Sequence, residues 1–200
     1  MQVIKIYPTG FAANTYILTA DEVTAVVIDP AQPTIADEVK ERGLEVKYVL
    51  LTHGHFDHIA GVGPLFKAGA IVGCAKEEVP LVLGEDNLAS TLGGGLAIEP
   101  FEIGFTIEDG QMLELCGLTV QAIATPGHTA GGMCYLIEDK LFTGDTLFED
   151  GYGRCDLPTG DFSLLKKSLL KIFALSENYA IYTGHGGDST LEKERGRYRL

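Results

Sequence analysis

Three of the chain's five histidines, His53, His55 and His58, stand together in the run Thr52-His53-Gly54-His55-Phe56-Asp57-His58. In an extended segment residues i and i+2 point the same way, so His53 and His55 can grip one ion together. His58 is out of phase with that pair and can turn toward a second ion. Asp57 sits between the two requirements and supplies negative charge. Imidazole and carboxylate without thiolate suit zinc, iron or manganese more than a cysteine-rich structural zinc site.

The other two histidines and one more aspartate occupy similar settings. Pro126-Gly127-His128, Gly144-Asp145-Thr146 and Gly184-His185-Gly186 each follow an apolar, strand-like stretch. Strand ends are rigid, so ligands there need little reorganisation. One ion could take His53, His55 and His128, and another Asp57, His58 and His185, with Asp145 bridging both. Two divalent ions would outweigh the two carboxylates and a shared hydroxide, leaving positive charge to attract a carbonyl oxygen. A metal-bound water with a pKa lowered to about 7 is a nucleophile at neutral pH. Asp57 and Asp145 are therefore the candidate catalytic carboxylates. Open positions for water and substrate mark such a site as catalytic.

These residues need a strand-rich frame. Residues 3–7, 15–18 and 24–28 read as strands, rich in β-branched and aromatic residues. A short helix follows over 34–42, with Thr34 as its N-cap. Residues 46–51 form a continuous apolar-biased run, as in a buried strand, and lead straight into the histidine run. The pattern then predicts a helix over 59–67, a strand over 70–74 and a brief helix over 77–83. Residues 84–100, with Gly93-Gly94-Gly95, read as a loop or lid. Further strands are predicted over 112–115, 118–124, 133–137 and 140–143. The clearest helix covers 161–175, with Phe162, Leu165, Leu169, Ile172 and Phe173 on one face. A last strand, 179–183, ends at Gly184-His185. Strands with helices in both halves suggest an α+β fold, two sheets packed together and covered by helices outside.

Composition narrows the function. A formal charge of −13 repels phosphate backbones, and the longest basic cluster is only 193–199, so no nucleic-acid partner is expected. No apolar run approaches the roughly 20 residues that span a bilayer. The N-terminus lacks the basic-then-apolar order of a signal peptide. A cytoplasmic protein without a membrane partner is the expectation. Cys74, Cys116, Cys134 and Cys155 show no CxxC spacing and read as free thiols, the first three in the core and Cys155 in a polar loop. Asn14 and Tyr16 are expected to pack and hydrogen-bond near the base of the ligand loops.

Residues 52–58, 125–129, 144–148 and 184–186 match, in order, the motifs of the metallo-β-lactamase superfamily, which the chain resembles over nearly its whole length. Gly144-Asp145-Thr146-Leu147-Phe148 followed by Gly151-Tyr152-Gly153-Arg154 is most similar to the glyoxalase II (hydroxyacylglutathione hydrolase) branch and its short bacterial relatives. The resemblance implies a four-layer αββα sandwich with two mixed β-sheets, helices on the outer faces and the metals at one edge. It implies two divalent ions, zinc first and iron or manganese as alternatives. It also implies hydrolysis of a small acyl-thioester, with Asp57 orienting the attacking oxygen. Asp29, in Ile28-Asp29-Pro30, resembles the family's aspartate behind the ligands, and Arg154 and Tyr152 become candidate substrate contacts.

The chain departs from that branch in carrying Arg154-Cys155-Asp156 where the basic and tyrosine residues are expected. A single domain over 1–200, without a C-terminal glutathione-binding helical domain, is the expectation. Monomer and homodimer stay equally open. The alternative is a mononuclear iron persulfide dioxygenase, a type whose Gly-Arg-x-Asp loop Gly153-Arg154-Cys155-Asp156 echoes. It would need only His53, His128 and Asp145 on one iron. β-Lactam hydrolysis is disfavoured, because those enzymes do not use a bridging aspartate at the position of Asp145. A non-catalytic module is opposed by the intact ligand set.

Overall fold

The computed structural model describes residues 1–198. Its strands are short and fall into two six-stranded sheets, with Thr15–Thr19 and Thr24–Ile28 among the most deeply buried. The first sheet runs β1 (Gln2–Ile6), β2 (Thr15–Thr19), β3 (Thr24–Ile28), β4 (Glu45–Leu50), β5 (Ile71–Ala75) and β6 (Phe105–Ile107) in spatial order. β1 to β3 pair antiparallel, and β3 to β6 pair parallel. The second sheet holds β7 (Met112–Leu115), β8 (Leu118–Ala124), β9 (Met133–Ile137), β10 (Lys140–Gly144), β11 (Ala180–Thr183) and β12 (Ser189–Thr190). Only β10 and β11 pair parallel there.

Period-two alternation sorts the side chains into layers. Tyr16, Leu18, Val26 and Ile28 from the first sheet meet Val120, Ala122, Tyr135 and Phe142 from the second. Their neighbours Ile17, Ala25 and Val27 face the other way, against Ile35 and Val39 of α1 (Ile35–Glu41). The far face of the second sheet presents Ile123, Cys134, Leu141 and Ile181 to Leu165, Leu169 and Ile172 of the long α5 (Phe162–Phe173). Helix, sheet, sheet, helix is the four-layer order that the motifs implied.

Several elements depart from the sequence reading. The expected helix over 59–67 is two pieces, α2 (Phe56–Ile59) and α3 (Val62–Lys67). The break falls at Gly61, packed so closely that a Cβ would lie 2.2 Å from the Gln32 carbonyl oxygen. α2 starts earlier than expected, so Asp57 and His58 ride on a helical turn. The helix over 77–83 is a 3-10 turn at Lys76–Glu78 followed by α4 (Val79–Leu83). Thr34 precedes α1, but its side chain makes no capping bond. Phe162 is exposed rather than part of the buried face of α5, and Cys116 is half-buried. Neither β6, β12 nor α6 (Leu191–Arg197) was expected. The charged 192–197 stretch is helical because Thr190 caps it and Leu191 anchors it in the core.

No helix among the described residues is long and apolar enough to cross a membrane. The β2–β3 turn is tied by Asp21, which accepts the Val23 and Thr24 amides at 2.9 and 2.7 Å and the Thr24 hydroxyl at 2.8 Å. These bonds hold its carboxyl at about 2, below the usual 3.8. A depressed folded-state pKa stabilises above the unfolded value and is lost as pH falls through the folded one. The denaturation midpoints of wild type and Asp21→Ala should therefore differ near neutrality and converge as pH falls from about 4 toward 2.

Candidate metal centre

β4 delivers the histidine run to the site. Past Leu50 the chain bends at Thr52 and leads into His53 and His55, whose imidazoles are both buried, with ring centroids 4.8 Å apart. His55 occupies the N-cap position of α2 with extended dihedrals, and the helical turn after it swings Asp57 and His58 round. The second sheet supplies the rest: His128 follows β8, Asp145 follows β10 and His185 follows β11. All five segments reach the same edge of the sandwich.

Three donor sets form there. Ligand atoms of His53, His55 and His128 lie within 4.8 Å of one another, as do those of Asp57, His58 and His185. A third set, His53, His58 and Asp145, takes one histidine from each group. Asp145 Oδ1 stands 3.3 Å from His58 Nε2, while Oδ2 stands 3.5 Å from His128 Nε2 and 3.7 Å from His185 Nε2. Asp145 thus faces histidines of both groups. Asp57 Oδ2 is 3.2 Å from His185 Nε2.

The donor atoms fit a cation. His53 Nε2, His58 Nε2 and Asp145 Oδ1 are buried and have no hydrogen-bond partner. An unsatisfied buried polar atom costs about 1–3 kcal/mol, and here the atoms converge. The opposite ring nitrogens are engaged: His58 Nδ1 with Asp29 Oδ2 at 2.8 Å, His53 Nδ1 with Thr52 Oγ1 at 3.1 Å, and His128 Nδ1 with the Arg154 carbonyl at 2.6 Å. A ring donating from Nδ1 keeps its lone pair on Nε2. His128 Nε2 then faces His55 Nδ1 at 3.0 Å.

Electrostatics agree for His53, His55 and Asp145 and run the other way for His58, whose proton a cation must displace. Burial, then the neighbouring imidazoles, push His53 well below its ordinary value and His55 down to about 4, keeping both rings neutral as metal ligands must be. Burial alone would raise Asp145, but His58, His128 and His185 override it and hold the carboxyl ionised. Against its own burial, His58 is pulled up by Asp145 and Asp29.

The family model described as the metallo-beta-lactamase superfamily matches residues 8–185. The chain belongs to that superfamily. It is 32% identical to a protein of Haemophilus influenzae named hydroxyacylglutathione hydrolase GloC, over 96% of this chain and 94% of that one. Among solved structures it is similar to BLEG-1, titled a B3 metallo-beta-lactamase, with TM-score 0.91, 30% identity and coverage of 98% and 97%. It is also similar to TTHA1623 in a di-iron-bound form, with TM-score 0.82, 32% identity and coverage of 97% and 96%.

In this superfamily member one carboxylate stands behind both histidine groups. Asp29 holds a left-handed backbone, φ 49°, just before Pro30. Its Oδ1 accepts the Thr52 amide at 2.8 Å, and its Oδ2 accepts the Thr52 hydroxyl at 2.6 Å and bonds His58. Thr52 in turn meets His53, so Asp29 orients a ligand in each group. Glu78, which the sequence reading missed, clamps the loops of the two sheets. It is buried, and its two carboxylate oxygens accept the Gly54 amide at 2.8 Å and the Gly131 amide at 2.6 Å. Burial raises its pKa. In Lys76-Glu77-Glu78 it reads as one more solvated charge.

Asn14 and Tyr16 take the place expected of them: the Tyr16 hydroxyl and Asn14 Nδ2 donate to the Thr183 carbonyl at 2.7 and 2.9 Å, bracing the His185 loop. Gly184 is obligatory, since a Cβ there would lie 2.3 Å from Asp145 Oδ1 and 2.8 Å from His58 Cε1. Arg154 borders the cleft above the site, but its guanidinium is bonded twice to Asp156, each at 2.7 Å. Tyr152 is not among the residues that line this cleft and packs instead beside Phe162 and Tyr198. Asp29→Asn, which keeps the shape and removes the charge behind both groups, should weaken metal binding about 10- to 100-fold in chelator competition, with the fold retained by circular dichroism. Unchanged affinity would remove Asp29 from this role.

Proposed function

We propose that the protein is a dinuclear metal-dependent hydrolase of small acyl-thioesters, with zinc in both positions. The observation that carries this reading is the pair of donor sets, His53/His55/His128 and Asp57/His58/His185, with Asp145 between them at the floor of an open cleft. The likeness to the hydroxyacylglutathione hydrolase of Haemophilus influenzae supports the thioester class. Four free cysteines suit a reducing compartment, and we place the protein in the cytoplasm.

Two divalent ions held here would supply a nucleophilic water at neutral pH and a partner for the carbonyl oxygen. The chain's own residues do the positioning. His53 and His58 are fully buried and fixed from behind through Thr52 and Asp29, so the frame cannot relax as charge develops. Asp57 and the part-exposed His185 face the cleft. Asp57 would orient the attacking oxygen there. In the overall step a C–O bond forms, the C–S bond breaks, and the water's proton ends on the departing sulfur, giving acid and thiol.

The test is a substrate panel with protein loaded with zinc and, separately, with iron. Acid and thiol should appear one for one from acyl-thioesters, stop on chelation and return with added metal. Cleavage confined to β-lactams or lactones would overturn the substrate class. Oxygen uptake with a persulfide on one iron per chain would favour the dioxygenase reading that uses His53, His128 and Asp145.

A further inference from the structure

The cleft over the donor groups has a volume of about 640 Å³, and its walls are mostly apolar. Phe11, Phe56, Leu88, Leu92, Phe148 and Leu157 form them, while the polar floor is the cluster already described. The cleft does not stop at Phe11. A second depression of about 390 Å³ shares Phe11, Ala12, Phe56 and Asp57 with it and continues past Leu96 toward Pro33. The two adjoin at these shared residues and together make a trough.

The rim of that trough is unusual for a soluble surface. Phe11 is 84% exposed, Leu92 56% and Leu96 40%. Large apolar side chains clustered in the open around a cleft mark a binding surface more often than an idle one. Charge argues the same way. Among the described residues Arg154 is the one Lys or Arg lining either depression, and Asp156 already occupies its guanidinium. With a net charge of −13 on the chain, nothing in the trough offers an anionic peptide thiol the cations that its carboxylates need.

We infer that the substrate carries an apolar, unbranched arm that lies in this trough, and that its thiol is not an anionic peptide such as glutathione. This deepens the thioester reading above and rests on it for which bond is broken. Either arm of a thioester could supply the chain, the acyl group or the alkyl group on sulfur. Both present the same methylenes to Phe11, Leu92 and Leu96.

The experiment uses the two products as probes on the zinc-loaded protein. Straight-chain alkanoates and alkanethiols of increasing length are titrated calorimetrically. Affinity for one series should rise about fourfold per methylene until the trough is filled, with a negative heat-capacity change. Whichever series shows the slope identifies the arm. Leu92→Ser and Phe11→Ser should flatten it while metal content stays at the wild-type value. Length-independent binding in both series, or preference for a glutathione thioester that collapses in Arg154→Ala, would overturn the inference. The two claims separate cleanly. A length slope without turnover of any thioester leaves the trough intact and sinks the hydrolase reading. Turnover of thioesters without a slope does the reverse.

Discussion

Buried lone pairs that face one another across a few ångströms are the constraint on which this structure turns. His53 Nε2, His58 Nε2 and Asp145 Oδ1 sit in the interior without a formed hydrogen bond, His58 Nε2 and Asp145 Oδ1 facing each other at 3.3 Å. A protein interior punishes unpaired polar atoms because its low dielectric offers no substitute for water. Ordinary cores avoid the problem by leaving such groups out. Here the fold spends considerable structure on keeping them in, with Asp29, Thr52 and the Arg154 carbonyl holding the far side of each ring. That arrangement makes sense as a cradle for positive charge and not as a packing solution.

The two sheets matter because neither builds the site alone. The first contributes the histidine run and Asp29; the second contributes His128, Asp145 and His185. Their relative placement is fixed by the shared core of Tyr16, Val26, Phe142 and Tyr135 and by polar crosslinks close to the site. Glu78 binds amides in a loop of each sheet, and Tyr16 reaches from the first sheet to the Thr183 carbonyl of the second. Disturbing any of these moves ligands relative to one another. For an ion held by several donors at once, such movement is more damaging than loss of stability alone.

Much of this was legible in the sequence, for identifiable reasons. Strands β7, β8 and β9 stand where the sequence placed them, β8 by its alternation of buried and exposed residues and β9 by its nearly continuous apolar run. The seven candidate ligands were legible because histidine is scarce in this chain and its glycine-flanked placements repeat. What escaped was of two kinds. Short elements such as β6 and β12 exist only through pairing with neighbours, and three or two residues carry no periodic signal. Residues that act through tertiary contact, Glu78 above all, look like surface charge until the fold wraps a second loop around them. Tyr152 erred in the opposite direction: its neighbours in sequence border the cleft, but its own ring turns toward Phe162 and Tyr198.

The apolar trough and the polar floor divide the work between recognition and chemistry, and both depend on the floor being a two-ion centre. Anomalous diffraction from crystals of zinc-loaded protein tests that most directly. The account predicts two peaks, one within bonding reach of His53, His55 and His128, the other of Asp57, His58 and His185, with the Asp145 carboxylate between them. A single peak at full occupancy, or ions bound elsewhere while these seven side chains pair only among themselves, would contradict it.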